Sequence, residues 1–324
     1  MRASVGPDTG PVALLGGNGF IGRHVARWLA QAGRPVGVIH RGSGPVADPR
    51  VRDVRADRHD AAVLGRALRQ IAPTVVVDLT AYAEADADEV LGALPAGLRR
   101  LVLVSSGDVY WTYGAFLRLE PRRHHEGPLD EAAPRRTSRH PYRPQAESAA
   151  DLRFYYDKIP VEEKLRRGAP VPVTILRLPM VYGPEDPQDR VGRVLRDLAG
   201  VRGELRLNPA EAAWRCTRGY VEDVAWGIAL AATDPRAEGA TFNLGETSAL
   251  TGQEWHQAVA GALGRRIVVL PDPAVPPSLP ADWSLPLVVE TRSIRERLDY
   301  HEPVGRDEGL RRSVARWRGP SGTG

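Results

Sequence analysis

The chain has little cysteine, little lysine and no long apolar run. Cys216 is the single cysteine in 324 residues, so no disulfide can form within the chain and a cysteine-built metal site is excluded. No apolar stretch approaches the roughly 18 to 20 residues of a membrane span, and the opening MRASVGPDTGP lacks the apolar core of a signal peptide. These lacks predict a globular, cytoplasmic protein with no membrane partner. Of 44 basic residues only Lys158 and Lys164 are lysine. A lysine kept in such a chain marks a place where a compact ammonium does what a planar guanidinium does poorly, reaching hydroxyls and tuning a neighbour's pKa. For Lys164 a solvated helix face is an equal explanation. The formal charge of +4 is small for the length and hints at an anionic ligand without requiring nucleic acid.

What the chain does have is a strand, a glycine turn and a helix in that order. The apolar run Val12 to Leu15 feeds into Gly16-Gly17-Asn18-Gly19-Phe20-Ile21-Gly22, and Val25, Trp28 and Leu29 continue at helical spacing to Gly33. Glycine lets the backbone turn tightly and approach a pyrophosphate, whose charge then sits on the free N–H groups of the helix. The GxxGxxG spacing in this context predicts a dinucleotide corner built from these seven residues.

Strands and helices alternate onward, which predicts an α/β protein with a doubly wound parallel (Rossmann) sheet. The second strand ends at His40-Arg41-Gly42. An acidic residue there accepts from a ribose 2′-OH, whereas Arg41 suits a 2′-phosphate, so NADP is expected as the cofactor, with NAD as the alternative. Asp57 and Arg58, after a short strand at 51–54, are placed to touch the adenine. Leu79 and Thr80 end the strand 74–79, and Pro179 follows the strand 171–178, both at strand ends where open sheets bind ligands. A helix is expected over 145–167. The segment 107–147 is too long for a plain connector and carries seven arginines. It reads either as an active-site wall for an anionic substrate or as a solvated loop. Within it, His124-His125-Glu126 reads as solvent-exposed, with no metal bound. The expected division is a dinucleotide-binding domain over 1–183, rejoined by 219–245, and a smaller, discontinuous substrate-binding region over 184–218 and 246–324.

GGNGFIG, VSSGDVY (104–110), Lys158, RLPMVYGP (177–184), RGYVEDVA (218–225) and FNLG (242–245) stand in order along nearly the whole chain. Together they resemble the extended short-chain dehydrogenase/reductase superfamily, in its NAD-dependent epimerase/dehydratase group. The resemblance implies an oxidoreductase, epimerase or dehydratase acting on a hydroxyl or carbonyl of a small or nucleotide-linked substrate. It also implies a homodimer that pairs through the helix of Lys158. In that family a serine or threonine holds the substrate oxygen, a tyrosine moves the proton, and a lysine binds the nicotinamide ribose and lowers the tyrosine's pKa. Ser106 and Lys158 match, but the YxxxK tyrosine position holds Phe154, which has no proton to give.

On an ideal helix, at about 100° per residue, Tyr155 lies about 60° from Lys158 and Tyr156 faces nearly away. Tyr155 is therefore the expected substitute, with Tyr156 favoured only if the helix starts late. Asp108 matches an acidic position that moves a proton in sugar dehydratases, and Arg218 a position that contacts the diphosphate in sugar-nucleotide epimerases. The HRG and ADRHD stretches look like the branch that contains chloroplast stem-loop RNA-binding proteins. This leaves a second reading: a dinucleotide-binding protein without redox turnover, whose arginine-rich segment binds RNA or a protein.

Overall fold

The computed structural model describes residues 10–42, 46, 48–123 and 125–317; the leader reading on residues 1–9 and His124 lie outside them. Four apolar strands form the centre: β1 (Val12–Leu15), β2 (Val36–His40), β4 (Val75–Asp78) and β5 (Arg100–Ser106). Nearly every residue in them is buried, as expected of strands covered on both faces. With β3 (Val51–Arg55), β6 (Val173–Leu178) and Thr241–Asn243 they make a seven-stranded sheet in the order Thr241–Asn243, β6, β5, β4, β1, β2, β3. Every pairing in it is parallel.

One face is covered by α1 (Gly22–Gln31) and the apolar helix Val221–Thr233. The other is covered by α2 (Ala61–Ile71), α3 (Glu84–Ala93) and, after α4 (Trp111–Phe116) and the short α5 (Leu152–Tyr155), by α6 (Lys158–Gly168). Local chemistry sets the helix starts. Asp60 accepts the Val63 N–H at 2.9 Å to begin α2, a cap worth about 1 kcal/mol. Beyond β6 the chain leaves the sheet as β7 (Met180–Tyr182), which pairs in parallel with Arg218–Tyr220. α7 (Arg190–Asp197) and a parallel pair of Glu204–Leu207 with Val268–Pro271 lie beyond it.

The helix expected over 145–167 is broken. α5 ends before Tyr156, Tyr156 and Asp157 are extended (φ −58°, ψ 124° and φ −163°, ψ 114°), and α6 starts at Lys158. The break is fixed from afar. The fully buried Asp157 carboxylate accepts from the Ile159 N–H that opens α6, from the His140 N–H at 3.0 Å and from Arg136 Nη2 at 3.1 Å. Arg136 also holds the Asp108 carbonyl at 2.5 Å and the Ser138 carbonyl at 2.6 Å.

Candidate active site

The C-terminal ends of β1, β4, β5 and β6 open on a cleft of about 340 Å³, the place where open parallel sheets take ligands. Gly16, Gly19, Phe20, Ile21 and Gly22 form one wall, Leu79, Thr80 and Pro179 another, and Ser106, Tyr156 and Lys158 the floor. Gly16 turns with φ +81°, and a Cβ on Gly22 would stand 2.3 Å from the Gly16 carbonyl oxygen. No side chain caps α1 and no acidic residue lies in its first turn, which leaves that helix end to an anion. These features fit a dinucleotide.

Lys158 is 3% exposed. Its Nζ donates to the carbonyls of Ala81 (2.6 Å) and Val104 (2.9 Å) and lies 4.7 Å over the Tyr82 ring. Burial lowers its pKa to about 8, against the pull of Asp78 and Asp108. An amine buried in this way costs stability while it is charged, and the cost fades as the folded state releases its proton ahead of the unfolded chain. From about pH 8 to 10 the wild type is therefore expected to gain about 2 kcal/mol relative to Lys158→Met. Denaturation midpoints across that range check this, and parallel curves for the two proteins rule it out.

Tyr156 enters the cleft, and its hydroxyl donates to Asp108 Oδ2 at 2.9 Å. Asp108 is buried two residues beyond Ser106, whose hydroxyl accepts the Asp108 N–H at 3.2 Å. Burial and the facing Asp108 push the Tyr156 hydroxyl well above its ordinary range, and burial pushes the Asp108 carboxyl up. Tyr155, the tyrosine favoured on an unbroken helix, is 41% exposed and lines a separate cavity with Glu84, Arg139 and Glu163. Tyr155 is thus not among the residues that line the cleft with Lys158, and the cause is the two extended residues that reset the rotation ahead of Lys158. Phe154 is also on the surface, under the Arg143 guanidinium at 4.5 Å.

Of the other expected contacts, Arg58 is employed elsewhere. Its buried guanidinium bonds Asp78 at 2.7 and 3.0 Å, the Thr80 hydroxyl and the Asp86 carbonyl, so it braces the end of β4. Gly17, Asn18, Arg41 and Asp57 lie outside the cleft lining. Asn18 meets His40 Nδ1 at 2.9 Å, and His40 Nε2 meets Asp53 at 2.7 Å, so the Asp53 carboxylate is already engaged. The Arg41 side chain is 65% exposed, 3.7 Å from Asp57. Arg218 is buried, stacked 4.5 Å from the Trp255 ring, with only backbone carbonyls at 3.3 Å as partners among the described residues, and it does not line the cleft. Arg190 does, held by Asp186 and the Val181 carbonyl. Sequence reading missed Arg190, and its place just after the RLPMVYGP turn was the available signal.

Most arginines of the 107–147 segment are engaged within the protein: Arg118 with the Ala281 carbonyl, Arg122 with Asp282, Arg135 and Arg139 with Glu163, Arg136 with Asp157, and Arg143 with the Phe154 carbonyl. The carboxylates paired with Arg122, Arg135 and Arg139 offset part of the positive charge of this segment.

Residues 12–94 match the family described as the NAD dependent epimerase/dehydratase family. A 2'-dehydrokanamycin reductase of Streptomyces kanamyceticus is 29% identical over 97% of this chain and 82% of its own length. Among solved structures, the UDP-glucose 4-epimerase of Thermus thermophilus in complex with NAD superposes with a TM-score of 0.68 at 26% identity, over 94% of this chain and 98% of that one. The Bordetella bronchiseptica enzyme WbmH in complex with NAD+ shares the fold with a TM-score of 0.67 at 18% identity, over 95% and 97% of the two chains. The chain is similar along nearly its whole length to proteins of the extended short-chain dehydrogenase/reductase type. It is an enzyme of the nicotinamide-dependent oxidoreductase and epimerase type. Among the described residues no helix is long and apolar enough to cross a membrane.

Proposed function

We infer that this enzyme uses NADP(H) to interconvert a carbonyl and a hydroxyl on a small or nucleotide-linked compound, with reduction as the favoured direction. The carrying observation is that Ser106, Tyr156 and Lys158 line one cleft with the glycine corner. The reductase that spans 97% of the chain supports the direction. Gly16 to Gly22, Leu79, Thr80 and Pro179 would hold the dinucleotide, whose nicotinamide, near Ser106 and Lys158, would supply or accept the hydride. The Ser106 hydroxyl holds the substrate oxygen, Tyr156 exchanges the proton with it, and Lys158 supports the ribose from beneath.

Residues 184–218 and 246–324 form the substrate side, where Arg190 is the cation that reaches the cleft and Arg218 lies behind it. We read the protein as a cytoplasmic homodimer paired through α6, as the resemblance implies.

The preference for a 2′-phosphate rests on Arg41 and on the engagement of Asp53 by His40. Fluorescence titration is expected to show NADPH binding more tightly than NADH, and Arg41→Ala is expected to cost about tenfold in NADPH affinity while leaving NADH unchanged. Equal affinities in the wild type would return the choice to NAD. Absence of binding to either nucleotide would remove the enzymatic reading.

A further inference from the structure

Tyr142 is outside every motif in the sequence. It comes from the 107–147 segment, and its hydroxyl lies 3.0 Å from Asp108 Oδ2 and 2.9 Å from the Tyr113 hydroxyl. A phenol has one proton to give, so Tyr142 donates to the carboxylate and accepts from Tyr113. The Tyr156 hydroxyl reaches the same Oδ2 at 2.9 Å. Asp108 is 3% exposed, and its Oδ1 is buried without a hydrogen-bond partner among the described residues. One carboxylate oxygen thus serves two tyrosines, of which Tyr156 alone lines the cleft.

This sharing sets where the Tyr156 proton points. With Asp108 ionised, the single Tyr156 proton is turned toward Oδ2 and away from the cleft. With Oδ2 protonated, the acid donates to the Tyr156 oxygen and the tyrosine's own proton turns to the substrate.

We propose that Asp108 is a proton store behind Tyr156, that its protonation decides whether Tyr156 offers a proton to the substrate, and that Tyr142 is the positioning residue that holds the carboxylate left behind. The proposal rests on the reading of Tyr156 as the proton donor. In reduction the Tyr156 O–H bond breaks as the product O–H forms, and the Asp108 O–H bond breaks as the Tyr156 O–H re-forms. The electron pair at carbon arrives with the hydride. Asp108 ends ionised, with Tyr142 and Tyr156 donating to it. It takes its next proton from water through Tyr156 when the product has left, and oxidation runs the same steps in reverse.

The groups facing Asp108 are few. Arg136 Nη2 is 3.9 Å from Oδ1, Ser106 takes the Asp108 backbone N–H, and Lys158 shares the cleft floor. Tyr156 and Tyr142 hold Oδ2, with Tyr113 behind them and Cys216 and Arg190 beyond it. Burial raises the carboxyl's pKa, while the Arg136 charge and the hydrogen bonds from the tyrosines pull it back.

Tyr142→Phe keeps the ring and removes one donor from the carboxylate. It is expected to lower kcat for reduction about tenfold with KM and the NADPH Kd unchanged. Because the ionised form loses a donor, the fall of kcat that accompanies Asp108 ionisation is expected to move to higher pH. Asp108→Asn is expected to abolish that limb. A second readout needs no turnover: cofactor-free protein should show the infrared carbonyl band of a buried carboxylic acid, absent in Asp108→Asn and persisting to higher pH in Tyr142→Phe. Tyr113→Phe, which leaves Tyr142 in place, should shift the band in the same sense by less. If kcat, the limb and the band in Tyr142→Phe all match wild type, the proposal is wrong. Wild-type turnover in Tyr156→Phe would instead overturn the proton-donor reading beneath it.

Discussion

Tyr156→Phe is expected to lower kcat by about 10² to 10⁴-fold, the range found when a positioned general acid is removed, while Tyr155→Phe stays within about twofold of wild type. The difference follows from place rather than residue type. Tyr156 lines the cleft with its hydroxyl on buried Asp108, whereas Tyr155 is 41% exposed in another cavity. The ring of Phe at 156 fills the same space between Tyr82 and Tyr142, whose ring centroids lie 6.0 and 5.3 Å from that of Tyr156. Folding and NADPH affinity are therefore expected to be unchanged, so the loss falls on the chemical step. Steady-state rates with the dinucleotide Kd measured alongside check this, and equal losses in the two variants would show that the break before α6 does not select the tyrosine.

Gly22→Ala is expected to remove dinucleotide binding, raising Kd by about 100-fold or more. The added methyl would lie 2.3 Å from the Gly16 oxygen and 2.6 Å from the Gly17 Cα. Both are backbone atoms in a corner tied by Gly19 N–H to Gly16 O at 3.1 Å and by Gly16 N–H to Ile39 O at 3.0 Å, so no side chain can swing aside. α1 must then shift away from β1, opening the turn that the pyrophosphate needs. Titration calorimetry on the folded variant tests the loss of affinity. Gly33→Ala is a useful contrast, since its Cβ would meet nothing within 4 Å although its φ of +76° carries local strain.

The elements that the sequence made legible are those whose cause is local. Apolar runs gave β1 and β4, and the glycine spacing gave the corner. The placement of Tyr156 in the cleft was not legible because the break before Lys158 is held by Arg136, 21 residues upstream of Asp157, and no periodicity carries that information. Arg58 is a similar case. Its position after β3 suits an adenine contact, but Asp78, 20 residues on and fully buried, needs a cation, and an unpaired charge there would cost several kcal/mol. Tyr142 and Tyr113 lie in a stretch whose proline and arginine content conceals two buried hydroxyls.

Arg136 grips the Asp108 carbonyl with one edge and the Asp157 carboxylate with another. The segment that supplies it is therefore not an ornament on the sheet but half of the device that aims Tyr156. The nucleotide corner is built from β1 and α1 and shares none of these bonds. The bonds that shape the glycine corner and those that place Tyr156 are thus separate sets, the first within β1, α1 and the neighbouring β2 and the second anchored on Arg136 and Asp157.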